Sequence, residues 1–259
     1  MKVEEALKSS GIDRLDAEVI LASTMRKSRE WLMAHPDDDV EISTFQKMVD
    51  RRKKNEPVSY IVENQEFYGR DFYVDNRVLI PRSSTERLVD LALDFLEDGE
   101  DRIRELDTKV VGVARKYGNL SDVRTLVDVC TGSGCIAITL ALETDKKIIA
   151  TDISNDALDV AKKNAQTHGV IDRIDFRLGD LIEPVSDVTD PYIVIANPPY
   201  VPEDDPLTPD VSDFEPTIAL FAGPDGSKNV VKINNSLKGL ESCKGCVIEC
   251  RDSHLNFLA

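Results

Sequence analysis

The stretch Ile193 to Val201 reads I-V-I-A-N-P-P-Y-V. A short apolar, β-branched run meets two prolines, so it reads as a buried strand with an abrupt end. Proline has no N–H to give to a sheet ladder and is scarcely tolerated inside a central strand. The strand therefore stops at Asn197 and leaves a carboxamide at its carboxyl end. In an open parallel α/β sheet, that end of the strands is where ligands bind.

The pattern extends upstream. Thr125 to Cys130 (T-L-V-D-V-C) is a second strand, followed by Thr131-Gly132-Ser133-Gly134 and an apolar helix from Cys135 to Leu142. Strand, glycine turn and helix N-terminus together bring a ligand against bare backbone, where a side chain would block the approach. Lys147 to Thr151 is the next strand and ends in Asp152, 24 residues past Asp128. A carboxylate there suits ribose hydroxyls. It could also cap the following helix, although Ser154, Asn155 and Asp156 are better placed for that. Ala157 to Thr167 is that helix, closed by Gly169. Ile174 to Leu178 is a further strand, followed by Gly179-Asp180-Leu181, where Asp180 is either a ligand contact or a turn residue. Gly226 precedes a helix to about Leu240, and Cys246 to Cys250 is the last strand. The alternation implies an α/β, Rossmann-like sheet.

The order of Asn197, Pro198, Pro199 and Tyr200 resembles the N-P-P-Y motif of methyltransferases that modify a planar nitrogen. Such a nitrogen has a delocalised lone pair and is a poor nucleophile. Acceptors aimed at its two N–H groups localise that pair, and the Asn197 side-chain oxygen and the Pro198 carbonyl can supply both. The prolines hold them rigid, and the Tyr200 ring can lie against the flat group.

Composition narrows the class. The chain has 259 residues, 41% of them hydrophobic, enough for a sizeable core and one or two domains. A formal net charge of −16 argues against broad phosphate-backbone binding, which relies on Lys and Arg. Met1 to Ser10 lacks the apolar core of a signal peptide, and no apolar run approaches the ~20 residues of a membrane span. Five cysteines, an odd number, suit reduced thiols in a cytoplasm. Cys243, Cys246 and Cys250 cluster, but no second cysteine pair or histidine pair completes a tetrahedral set, so no metal is expected. His168 and His254 stand alone.

Helical periodicity dominates the start: Asp16 to Met25, Arg29 to His35, and Ile42 to Arg52, with Trp31 and His35 as packing residues. Arg51-Arg52-Lys53-Lys54 reads as a solvated helix end, or as a contact for an acidic or RNA-bearing partner. Phe67, Phe72 and Val74 around Gly69 suggest a β-hairpin. Leu88 to Leu96 is an amphipathic helix. Asp98 to Asp101 reads as a solvated loop and Lys109 to Lys116 as another helix, both within a surface insertion over 97–124.

The order E-P-x-x-Y-I from Glu56, E-F-Y-G-x-x-F-x-V from Glu66, V-L-I-P-R from Val78, D-x-x-T-G-S-G from Asp128 and then N-P-P-Y resembles the HemK/PrmC family across residues 14 to 250. That family comprises protein glutamine N5-methyltransferases with a helical N-terminal domain and a Rossmann-like catalytic domain. The resemblance implies a substrate-recognition domain over 1–68, a hairpin and linker over 69–86, and a methyltransferase domain over 87–259. It implies S-adenosyl-L-methionine as cofactor, bound by Cys130, Thr131, Gly132, Ser133, Gly134, Asp152, Asp180, Leu181 and Asn197. Asp180 would accept from the adenine amino group and Leu181 pack on the ring, while the loop from Pro202 to Pro216 would close over the site. Asn197, Pro198 and Tyr200 would be catalytic and, with Pro199, bind substrate: the glutamine of a Gly-Gly-Gln loop in a release factor, a protein partner met by a cytoplasmic monomer without direct nucleic-acid binding. Cys130 stands where the family expects a glycine, and Ser83-Ser84-Thr85-Glu86 replaces P-x-T-E; the run Tyr73 to Ser83, together with Cys130, leans toward the relatives that methylate a glutamine of ribosomal protein L3. The other readings are an adenine or guanine amine in nucleic acid, and a silent S-adenosylmethionine-binding module. Arg251 to Ala259 reads as the start of another helix, and the rest of the family's terminal helix and its antiparallel strand pair are absent, so the expectation is either a C-terminally truncated fragment or a sheet two strands short, with an open edge.

Overall fold

The computed structural model describes residues 1–258. They form two compact units, one of Met1–Asn64 with Leu207–Phe214, the other of Gln65–Pro206 with the chain from Glu215 onward.

The first unit packs helices α1 (Val3–Ser9), α2 (Arg14–Met25), α3 (Arg29–Ala34), α4 (Ser43–Arg52) and α5 (Val58–Val62) around Leu7, Ile20, Leu21, Leu32, Phe45, Val49 and Ile61. Capping residues set the boundaries. Asp13 accepts from Leu15 N at 2.8 Å, and Ser28 accepts from Trp31 N at 3.2 Å. The polar start of the chain is itself helical, because Val3, Ala6 and Leu7 make a short apolar stripe that is buried. Trp31 stacks on His35, with ring centroids 4.2 Å apart. Within the basic run, Arg51 pairs with Glu56 and Arg52 with Asp16, so half of it serves this unit's own packing.

The second unit opens with the hairpin β1 (Gln65–Phe67) and β2 (Arg70–Phe72), whose turn residues Tyr68 and Gly69 both have positive φ, as a two-residue hairpin loop requires. Helix α6 (Ser83–Asp98) follows. Next come β3 (Arg102–Asp107), β4 (Val110–Lys116), β5 (Thr125–Val129), α7 (Cys135–Glu143), β6 (Lys147–Asp152), α8 (Asn155–Thr167), β7 (Ile174–Leu178), β8 (Tyr192–Ala196), α9 (Lys228–Leu237) and β9 (Cys243–Arg251). The strands form one seven-stranded sheet in the order β3-β4-β9-β8-β5-β6-β7. From β9 to β7 all pairs are parallel, whereas β3-β4 and β4-β9 are antiparallel.

Alternation sorts each strand between two cores. Ile193 and Ile195 join Leu126, Ile136, Ile148, Leu91 and Phe95 on one face. Val194 and Ala196 join Val127, Val129, Val230, Ile233 and Ile248 on the other. Each such buried Val or Ile contributes roughly 1.5–3 kcal/mol relative to exposure.

Three expectations are corrected. Lys109 to Lys116 is not helical. Val110–Lys116 is a strand paired residue for residue with β9, from Val110 opposite Arg251 to Lys116 opposite Gly245. Its valines suit a pleated surface, and Gly112 lets α6 lie close, since a Cβ there would come 2.7 Å from Leu91 Cδ2. The sheet is therefore not left open beside β9. The segment 97–124 is no surface insertion, because its hairpin supplies the antiparallel pair at that edge. The outermost strand, β3, carries Arg102 and Arg104, paired with Asp98 and Asp94 on α6, and such charges discourage edge-to-edge association.

Candidate active site

Strand order reverses between β5 and β8, and the cleft lies at their carboxyl ends. It is lined by Leu79, Cys130, Gly132, Asp152, Ile153, Ala157, Asn197 and Pro199, with Ile218 and Ala219 from the segment after Pro216. This is the switch point where an open α/β sheet leaves room for a ligand. A larger hollow of about 580 Å³ lies at the amino ends of the strands, among Thr125, Lys147, Arg173 and Arg177. Among the described residues that line it there is none from the glycine turn after β5 or from the N-P-P-Y stretch.

The glycine turn is held by buried Asp128, the fourth residue of β5. Its Oδ2 accepts from Thr131 Oγ1 at 2.6 Å and from Ala137 N at 3.0 Å. The second bond caps α7, because Gly134 at the N-cap has no side chain to do so. Burial lifts the Asp128 carboxyl to about 7, against the pull of its two donors. Asp152 accepts from Gly132 N and from Ser154 N, both at 2.9 Å, so it clamps the turn to the next strand. It is not the helix cap, since Ser154 accepts from Ala157 N at 3.2 Å. Burial raises the Asp152 carboxyl as well. Cys130 has φ +63, a left-handed conformation that glycine adopts without strain. Burial, then the charge of Asp152, keeps it a thiol.

The N-P-P-Y turn is held from further away. Asn197 Nδ2 donates to Thr85 Oγ1 at 2.9 Å, and Thr85 donates to Glu249 Oε2 at 3.0 Å. The Tyr200 hydroxyl donates to Glu249 Oε1 at 2.8 Å. Among the described residues, no donor bonds Asn197 Oδ1 or the Pro198 carbonyl. Burial raises the Tyr200 phenol, with the charge of Glu249 adding to it, so the hydroxyl stays a donor. Burial also raises Glu249, against donors from Tyr200, Thr85 and Ser84 and the nearby charge of Arg82. Gly226 permits the return of the chain, since a Cβ there would meet Tyr200 O at 2.2 Å.

Of the residues expected at the site, Cys130, Gly132, Asp152, Asn197 and Pro199 line the one cleft. Thr131, Ser133 and Gly134 shape its turn from beneath. Asp180 is paired with Lys232, and Leu181 is buried in the core with its carbonyl accepting from Thr151. Neither is among the residues lining the cleft. The sequence reading gave no site role to Thr85, Glu249, Asn164 or Glu215. Asn164 joins the Ser133 carbonyl to both backbone groups of Tyr73. Glu215 accepts from Ile80 N and pairs with Arg82. Thr85 stood within the Ser83-Ser84-Thr85-Glu86 stretch and Glu215 within the Pro202 to Pro216 loop, but nothing local marked a site role for them, and Asn164 and Glu249 gave no local signal.

The PrmC N-terminal domain family matches residues 1–62, and the methyltransferase small domain family matches 117–211. A release factor glutamine methyltransferase of Nitratidesulfovibrio vulgaris is 35% identical over 237 residues, covering 88% of this chain and 72% of that protein. The chain belongs to the PrmC family. A bifunctional methyltransferase of Rickettsia bellii is 36% identical over 227 residues, or 82% of this chain. This PrmC-family chain spans only 40% of the length of that relative. Among solved structures, an RNA methyltransferase of Salinibacter ruber in complex with S-adenosyl-L-homocysteine covers 52% of this chain and 63% of that one, at 25% identity and TM-score 0.31.

S-adenosyl-L-methionine, the cofactor of PrmC-type methyltransferases, suits the cleft. Gly132 leaves a bare backbone surface, because a Cβ there would meet nothing within 4 Å. Asp152 has acceptor capacity left for ribose hydroxyls beyond its two backbone donors. Ile153 and Ile218 are 53% and 58% exposed at the rim and offer apolar surface to a base.

Proposed function

We propose that this chain methylates the side-chain amide nitrogen of a glutamine, the one in the Gly-Gly-Gln loop of a peptide-chain release factor, with S-adenosyl-L-methionine as donor. One observation carries the reading. Asn197 gives its NH2 to Thr85, so its oxygen, with the Pro198 carbonyl, remains to receive the two N–H groups of a planar amide.

In this reading the backbone of Cys130 to Gly134 and the carboxylate of Asp152 hold the cofactor, which supplies a methyl group on an electrophilic sulfonium. Asn197 Oδ1 and the Pro198 carbonyl take the two amide hydrogens and fix the nitrogen in one direction. Tyr200, held by Glu249, offers its ring to the flat face. Orientation and exclusion of water account for most of the acceleration. After transfer the nitrogen releases one proton. Asp180, charge-paired with Lys232, sits beyond the cleft lining, where it can accept from an adenine amine when that pair opens. Residues 1–64 are the part we assign to recognising the protein substrate.

The test is mass spectrometry of a release factor incubated with the chain and S-adenosylmethionine. One added methyl mass on the glutamine of the Gly-Gly-Gln loop is expected. Transfer to RNA or DNA, or to ribosomal protein L3 and not to the release factor, overturns the substrate assignment.

A further inference from the structure

Two buried polar side chains behind Asn197 and Tyr200 do not touch the substrate in the reaction as described. Thr85, in the first turn of α6, is 2% exposed, and Glu249, near the carboxyl end of β9, is 0% exposed. A carboxylate removed from water is costly unless its oxygens are hydrogen-bonded. Glu249 meets that need with hydroxyls: Tyr200 at 2.8 Å, Thr85 at 3.0 Å, and Ser84.

The donors and acceptors can be followed from one end to the other. The hydroxyls of Tyr200, Thr85 and Ser84 and the nearby charge of Arg82 favour the ionised form of Glu249 against its burial; as a carboxylate it only accepts, so both Tyr200 and Thr85 point their hydrogens at it. A threonine hydroxyl has one hydrogen. With that hydrogen on Glu249, Thr85 Oγ1 can only accept from the group on its other side, which is Asn197, 2.9 Å away. Asn197 must therefore turn its NH2 to Thr85 and its oxygen the other way. The opposite flip would bring two donors together at Thr85 and present an NH2 to the incoming substrate NH2.

We propose that Thr85 and Glu249 are positioning residues that fix the amide orientation of Asn197, so that the site accepts an N–H2-bearing planar group and rejects one that presents a carbonyl. The inference rests on the amide-methylation reading, with Thr85 and Glu249 acting through Asn197 and Tyr200 rather than on the substrate.

The experiment compares the full chain with Thr85→Val, Thr85→Ser, Glu249→Gln and the Val/Gln double variant. Thr85→Val keeps the shape and removes the hydroxyl. Its kcat on release factor falls about 30-fold, while the Kd for S-adenosylmethionine stays near wild type. Thr85→Ser restores kcat to within about threefold, because the hydroxyl is enough. Glu249→Gln can donate as well as accept, so it releases Thr85 from its fixed direction and loses as much as Thr85→Val. The double variant loses no more than either single one, as expected of groups that act as a unit. Hydrogen exchange of the Asn197 side-chain NH2, followed by 15N NMR, gives an answer without turnover. It is slow in the wild type and fast in Thr85→Val and Glu249→Gln. Fast exchange in the wild type, wild-type kcat in Thr85→Val, or a Thr85→Ser as impaired as Thr85→Val overturns the proposal. Slow, Thr85-dependent exchange with no methyl transfer to release factor overturns the substrate reading and leaves the positioning standing.

Discussion

Two turns face each other across the cleft, and they are held in opposite ways. The glycine turn after β5 is held by its own neighbourhood in the chain. Asp128 fastens Thr131 and Ala137, three and nine residues on, and Asp152 takes Gly132 N from the end of the adjacent strand. The N-P-P-Y turn after β8 is held by Thr85 and Glu249, which lie 112 residues before Asn197 and 49 residues after Tyr200. One turn is a local motif that carries its support with it. The other is a short motif whose support comes from two distant elements, α6 and β9. The contrast separates binding of the cofactor from orientation of the acceptor, and each turn can be tested on its own.

The largest expected effect is at the second turn. Asn197→Ala removes an acceptor needed only when the amide nitrogen is being aligned, so turnover falls about 10³-fold. Calorimetry should find S-adenosylmethionine binding within about twofold of wild type. Loss of both together would mean that the two turns are one unit.

Gly132→Val should do the reverse. It places a branched side chain on the open cofactor surface at a backbone φ of +54. The Kd for S-adenosylmethionine is expected to rise roughly 10²-fold, with kcat at saturation changing much less. A variant that binds cofactor normally would remove Gly132 from the cradle.

The buried acid of the first turn gives a pH signature. Asp128 titrates at about 7 in the folded chain against 3.8 for an ordinary aspartate. Between those values the unfolded chain has released a proton that the folded chain keeps, so stability falls as pH rises through that window. Asp152, raised by burial, acts in the same sense. Chemical denaturation between pH 4 and pH 8 should show the slope, and Asp128→Asn should flatten most of it, because the amide oxygen can still accept from Thr131 and Ala137. An unchanged slope would place the titration elsewhere.

The smallest effect is expected at Cys130. Glycine at φ +63 relieves left-handed strain of about 1 kcal/mol, which in a chain of this size raises the thermal midpoint by roughly 2–4 °C. Methyl transfer should be retained, since the thiol is not a nucleophile here. A loss of activity in Cys130→Gly would give the thiol a role that its protonation state denies.

Much of the parallel sheet was legible because each strand declares its own ends. Thr125–Val129 runs into glycines, Lys147–Asp152 into an acid and a capping serine, and Tyr192–Ala196 into prolines. The edge was not legible. V-V-G-V-A-R-K from Val110 to Lys116 is short and apolar enough to read as helix, and its state is set by β9, more than a hundred residues away. Nor did periodicity disclose the helix Val3–Ser9, whose stripe of Val3, Ala6 and Leu7 matters only because Leu21 and Phe45 are there to receive it.

The sequence by itself determined the order of parallel strands and helices, the glycine turn, the place of Asp152 and the carboxamide that ends β8. Each follows from bonds and sterics within a few residues of the feature itself. Only the tertiary structure decided that the hairpin of 102–116 closes the sheet beside β9, that Leu181 lies in the core, and which way the Asn197 amide faces. These outcomes depend on partners distant in sequence. A strand pair, a buried face and the direction of a hydrogen bond are each set by the group opposite, which no local pattern records.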